Sequence, residues 1–112
     1  MYAYAFNLLR VIDGDTVEGV VQLGFHVTYT LKARLKGINA PELSTPAGIV
    51  SKDYLTKLLA GKVLEVQSTK LAPTDKFGGR YDLMLWASEV GKSQVNVNLA
   101  MVDSGNAAKY QD

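Results

Sequence analysis

Val11-Ile-Asp-Gly-Asp-Thr-Val-Glu-Gly-Val-Val-Gln-Leu23, followed after Gly24 by Phe25-His-Val-Thr-Tyr-Thr-Leu-Lys-Ala-Arg-Leu-Lys36, is the stretch that decides the fold. Thr16–Leu23 is rich in β-branched residues, and in 25–36 Leu31, Ala33 and Leu35 alternate with Lys32, Arg34 and Lys36. Period-two alternation marks a strand with one face on a core, so the opposite face of this third strand reads as basic. Asp13-Gly14 reads as the tight turn before the second strand, of the kind in which the turn residues adopt positive φ. Upstream, Tyr2, Tyr4, Phe6 and Leu8 fall on one side of an extended chain, which gives a first strand over 2–12.

Downstream the period changes. Pro41 closes a turn, and Thr45-Pro46 has the form of a helix N-cap followed by proline at the first helical position. The helix places Val50, Tyr54 and Leu58 on one stripe with Leu55 and Leu59 beside it, and Gly61 ends it. Val63–Gln67 reads as a short strand. A polar loop with Pro73 leads to Gly78-Gly79, and Tyr81–Ala87 reads as a fifth strand. A second helix is expected from about Ser93 to Ser104, stopped by Gly105. With no internal repeat, low-complexity tract or linker, residues 1–112 read as one domain. Three strands, a helix, two strands and a helix predict a mainly β, α+β fold: a five-stranded OB-type Greek-key barrel with two helices. Periodicity alone also allows an open α+β sheet.

Composition narrows the chemistry. The 112 residues are 47% hydrophobic and 21% charged, enough to build a core and too apolar for a disordered chain. No apolar stretch approaches the roughly 18 residues of a membrane span, so no membrane association is expected. The absence of cysteine excludes disulfides, thiolate metal sites and thiol nucleophiles. A single histidine, His26, excludes a histidine cage. Twelve basic against eleven acidic residues leave a net charge of +1, so phosphate contacts must rest on local charge. The N-terminus lacks the pattern of a signal peptide; a cytoplasmic location is expected for the chain as it stands, and a secreted one if a leader has been trimmed.

Three segments carry functional groups. Asp13-Gly14-Asp15-Thr16 sets two carboxylates around a glycine where two strands meet, which serves either a tight hairpin or a hard cation. Arg34-Leu-Lys-Gly-Ile-Asn39-Ala40-Pro41-Glu42 ends a strand and presents an amide, backbone carbonyls and a carboxylate on a loop stiffened by proline. Asp75-Lys-Phe-Gly-Gly-Arg80-Tyr81 lets backbone approach a ligand closely and places a second arginine at a strand start. Each alone is explained by a solvated turn. Together they supply oxygen ligands, a carboxylate base and two guanidinium forks, the parts phosphodiester hydrolysis needs.

Val11-Ile-Asp-Gly-Asp-Thr-Val17, Arg34 with Gly37-Ile-Asn-Ala-Pro-Glu42, Asp75-Lys-Phe-Gly-Gly-Arg80, Val97-Asn98 and Gly105, in this order along nearly the whole chain, resemble the thermonuclease (staphylococcal nuclease) family. The resemblance implies an OB-type barrel and calcium-dependent hydrolysis of DNA and RNA phosphodiesters. It implies Asp15 as the carboxylate ligand of Ca2+, Asn39 where the family has a second aspartate, Ala40 contributing its backbone carbonyl, and Asp13 supporting these ligands. Glu42 takes the place of the base that activates water, and Arg34 and Arg80 those of the arginines that stabilise the transition state. Lys76, Phe77 and Tyr110 take nucleotide-contacting places, and single-stranded or frayed nucleic acid is the expected partner.

The sequence departs from the family at four points. Asn39 removes a ligand charge, which predicts weaker calcium binding. Ala40 lacks the hydroxyl common there. Gly78-Gly79 adds a residue before Arg80. The stretch from Glu42 to Lys62 is shorter than in the best-known member, and the chain stops at Asp112 where that member has a third helix, which leaves a homo-oligomer as one way to cover the barrel. A non-catalytic OB-fold oligonucleotide-binding or assembly module is the alternative reading. His26 on a strand, Trp86 in the core, and Asn98 as a buried hydrogen-bonding group tying helix to loop are expected to stand outside the site.

Overall fold

The computed structural model describes residues 2–68 and 81–109. Three antiparallel strands open the chain: β1 (Tyr2–Asp13), β2 (Thr16–Gly24) and β3 (Val27–Leu35). A two-residue β4 (Ile38–Asn39) precedes helix α1 (Pro46–Leu59). Strands β5 (Val63–Ser68) and β6 (Tyr81–Ser88), a two-residue β7 (Val95–Asn96), helix α2 (Val97–Asp103) and a two-residue β8 (Ala108–Lys109) complete the described elements.

The sheet runs β3-β2-β1-β5-β6-β7, and β6 also pairs with β3 in parallel, through Ala33↔Tyr81, Arg34↔Asp82 and Leu35↔Leu83. That pairing closes a mixed five-stranded barrel of OB type with two helices. β1 makes closure possible by serving both halves, with Tyr2–Phe6 on β5 and Phe6–Asp13 on β2. Register shifts between Leu8 and Arg10 and between Val11 and Asp13 bend it around the barrel, as β-bulges do. The inward side chains include Phe6, Val17, Leu35, Leu64, Val66, Leu83 and Leu85; Leu55, Leu59 and Met101 of the helices join the same core.

Asn98 completes the closure. It is 2% exposed; its Oδ1 accepts from the Leu85 N–H at 3.0 Å, and its Nδ2 donates to the carbonyls of Lys36 at 2.9 Å and Leu83 at 3.1 Å. Just past Leu35↔Leu83 the Lys36 N–H still donates to the Leu83 carbonyl at 2.9 Å, and the Asn98 amide adds a second donor there while satisfying the Lys36 carbonyl and the Leu85 N–H. The expectation of a buried hydrogen-bonding residue tying helix to loop holds: Asn98 ties α2 to the turn after β3 through Lys36, and also to strand β6.

Four local expectations are corrected. α2 begins at Val97 and not near Ser93, because Val95–Asn96 pairs with β6 and the Asn96 side chain caps the helix by accepting from the Leu99 N–H at 3.1 Å. α1 buries Leu55 and Leu59 as expected, with Tyr54 and Leu58 packed beside them, but its face extends through Ser51 and Gly48 and leaves Val50 60% exposed. On β6 the alternation puts Leu83, Leu85 and Ala87 inward and Trp86 outward, half-buried, with its indole Nε1 lacking a partner among the described residues. Phe25 and His26 form the β2–β3 turn and do not belong to β3. The helix stops are as expected: Gly61 and Gly105 follow the caps at φ +69° and +80°.

Candidate active site

The β1–β2 turn is two residues long, Gly14 and Asp15, between the pair Asp13↔Thr16. Neither has positive φ, contrary to the hairpin expected from Asp-Gly. The glycine is needed for space: a Cβ at Gly14 would overlap Ser51 Oγ of α1 and stand 2.8 Å from Ala40 Cβ. Asp13 Oδ1 accepts the Asp15 N–H at 3.0 Å, and the Asp15 carbonyl accepts the Leu35 N–H at 2.7 Å, so turn and third strand are locked together.

This holds the Asp15 carboxylate in the protein, 8% exposed. Oδ1 accepts the Thr16 hydroxyl at 2.9 Å and Oδ2 the Ala40 N–H at 3.0 Å. Arg34, projecting from the basic face of β3, brings Nη2 to 3.9 Å from Oδ2 and hydrogen-bonds Asn39 Oδ1 at 3.4 Å. Burial alone would push the Asp15 carboxyl up; hydrogen bonds from Asp13, the Ala40 amide and Thr16, with the Arg34 charge, outweigh it and hold the carboxyl below its ordinary value. Asp13 goes the other way, raised by burial and by the hydrogen bond it shares with Asp15. Of the pair, Asp15 keeps the negative charge and Asp13 takes the proton more readily.

Asn39 and Ala40 reach this place through β4, whose residues Ile38 and Asn39 pair with Lys109 and Ala108. An open cleft of about 370 Å³ lies between residues 39–41 and 105–108. Glu42 follows at the start of the turn into α1. Its carboxylate is exposed and has no hydrogen-bond or ion-pair partner among the described residues, while its carbonyl accepts both the Thr45 N–H at 3.0 Å and the Thr45 hydroxyl at 2.7 Å.

Thus Asp13, Asp15, Arg34, Asn39 and Ala40 form one connected group, with Glu42 two residues beyond it. Lys76, Phe77, Arg80 and Tyr110 lie outside the described residues, as do Pro73, Asp75, Gly78-Gly79 and the Tyr2 side chain. His26 sits at an exposed turn far along the hairpin from Asp15. Two supporting residues had no weight in the sequence reading: Ser51, fully buried and donating to the Asn106 carbonyl at 2.7 Å, and Gly48. Their signal was a small polar residue and a glycine within the first turns of an amphipathic helix, where alanine is the better helix former.

The donors here are all oxygens, the set a hard divalent cation takes, but they are few in charge: one buried carboxylate and one neutral amide. Among the described residues no three acidic or histidine side chains cluster as a metal cage. The donor set fits a hard cation held by a low ligand charge, with water completing its shell. No helix among the described residues is long and apolar enough to cross a membrane.

Fold and site together are an OB-type barrel with a buried aspartate at a hairpin turn and an arginine beside it on β3. No family model matches the chain. Over 105 residues the chain is 31% identical to a protein of Escherichia coli O157:H7 named uncharacterized endonuclease, and 30% identical over 105 residues to one of Escherichia coli with the same name. Each match covers 94% of this chain and 60% of the relative, so the chain spans about 60% of the length of the curated relatives it matches.

Proposed function

We propose that the chain hydrolyses phosphodiester bonds of single-stranded or frayed DNA or RNA, with water as nucleophile. The observation that carries this is the Asp15 group: a carboxylate kept ionised within the protein beside Arg34, on a turn clamped between β3 and α1. Burying a charge is costly, and ionisable groups held in this way cluster at functional sites. The relatives named endonuclease and the motif order shared with thermonucleases support the same reading.

In this account Arg34, 3.9 Å from Asp15 Oδ2 and hydrogen-bonded to Asn39 Oδ1, neutralises charge on the non-bridging oxygens. Glu42, exposed and without a partner among the described residues, accepts the proton of the attacking water. Arg80, Lys76, Phe77 and Tyr110 are assigned by resemblance to the second phosphate contact and to gripping the nucleotide. Asp15, the Asn39 amide oxygen and the Ala40 carbonyl are the residues that would hold a calcium ion, which when bound supplies positive charge to the phosphate.

The test is cleavage of fluorescent single-stranded DNA and RNA with millimolar calcium and with a chelator, for the wild type and Glu42→Gln. Calcium-dependent cleavage, slowed by about 10²–10⁴ in the variant with binding retained, is expected of a lost general base. Wild-type turnover in the variant removes Glu42 from that role. A second reading, an oligonucleotide-binding module without hydrolysis, is favoured by the neutral Asn39; a calcium-independent gel shift with no cleavage would establish it.

A further inference from the structure

Glu42 is a base only if its carboxylate is held within reach of one water, yet none of the described residues grips that side chain. Its backbone is gripped instead, by α1. The Thr45 hydroxyl has two bonds: it accepts the Gly48 N–H at 3.0 Å, which caps the helix, and donates to the Glu42 carbonyl at 2.7 Å. The Thr45 N–H closes the same turn at 3.0 Å. Gly48 packs directly on this turn; a Cβ there would overlap the Glu42 carbonyl and lie 2.9 Å from Leu43 Cα. One turn further along the same face, Ser51 packs against Gly14 and bonds Asn106. α1 therefore touches both carboxylate-bearing turns, the one with Asp15 through Ser51 and the one with Glu42 through Gly48 and Thr45.

Resting on the reading of Glu42 as the base, we propose that Thr45 is its positioning residue: one hydroxyl, bonded to the helix on one side and to the Glu42 carbonyl on the other, sets where the base stands relative to Asp15. A displacement of about 1 Å in a catalytic group can cost a hundredfold in rate, so the tether belongs to kcat and not to substrate affinity.

The two bonds are separable. Thr45→Ser keeps both. Thr45→Asp keeps the cap acceptor and loses the donor to Glu42; Ser44→Asp places the same charge on the neighbouring exposed residue. Steady-state cleavage of a single-stranded oligonucleotide with calcium, together with thermal melting, reads the outcome. Expected are near wild-type turnover for Thr45→Ser and Ser44→Asp, and for Thr45→Asp a ten- to hundredfold lower kcat with KM within twofold and an undiminished melting temperature. Thr45→Gly, which helix caps tolerate, should show the same fall if Thr45→Asp does not fold. A folded Thr45→Asp or Thr45→Gly with kcat within twofold of wild type overturns the proposal, as does an equal loss in Ser44→Asp. Wild-type activity in Glu42→Gln overturns the reading of the base itself, a result distinct from any obtained at Thr45.

Discussion

The β1–β2–β3 meander makes two hairpin turns of two residues each, and they are built on opposite terms. At the first, Gly14 and Asp15 lie against α1 and Ala40, the Asp15 N–H, carbonyl and carboxylate are all hydrogen-bonded, and neither residue has positive φ. At the second, Phe25 and His26 stand in solvent at φ +53° and +62°, with Phe25 98% exposed. The composition suggests the reverse, since Asp-Gly is the usual chemistry of a positive-φ hairpin and Phe-His is not. Where a turn only has to reverse the chain, strand twist imposes the turn type even on unsuited residues. Where a turn carries a buried charge, its residues are chosen for packing and hydrogen bonding, and the local signal misleads.

That contrast can be broken most severely with alanine. Gly14→Ala drives a methyl into Ser51 and Ala40 and should cost about 2–3 kcal/mol, the range of core overpacking. Gly24→Ala, at φ +88° with open space around it, should cost only about 1 kcal/mol through backbone strain. Urea unfolding of the two variants decides; equal costs would mean that the first turn is not clamped.

Acid separates the two carboxylates. Asp13 is raised, so as pH falls towards about 4 the folded protein takes up its proton before the unfolded chain does, and stability rises. Asp15 is lowered, so its contribution is present above about pH 4 and is lost as pH falls further through its folded value. In urea unfolding between pH 7 and 2.5, Asp13→Asn should remove the rise and Asp15→Asn should lessen the fall. An Asp15→Asn profile falling as steeply as wild type contradicts the assignment.

The smallest effect is at the other turn. Replacing Phe25-His26 by Asn-Gly relieves two non-glycine residues of positive φ and should stabilise the fold by about 1 kcal/mol. Cleavage should be unchanged. Loss of cleavage in this variant would draw the hairpin tip into the site.

The barrel was legible because period-two alternation in β1 and β3, the β-branched run of β2 and the caps at Thr45, Gly61 and Gly105 are local signals. β4, β7 and β8 were not, being two-residue pairings that exist only through partners distant in sequence. Trp86 was misplaced because apolar neighbours hide the phase of a strand. At the site, Asp13, Asp15, Arg34, Asn39, Ala40 and Glu42 could be picked out by residue type and order. The parts that position them could not. Thr45 was visible as a cap but not as a tether, and Gly14, Gly48 and Ser51 act through close contacts between segments that sequence spacing does not reveal.

The central claim is that the buried charge of Asp15 serves catalysis, beyond what its ionisation contributes to the fold. Asp15→Asn keeps the shape and an acceptor while removing that charge, so calcium-dependent cleavage and urea stability should be measured on the same preparation. The account predicts cleavage reduced at least about a hundredfold in a variant that stays folded under the assay conditions and is destabilised only by what the ionised Asp15 contributes to the fold. Cleavage at the wild-type rate, or a variant that loses activity only because it unfolds, would contradict it.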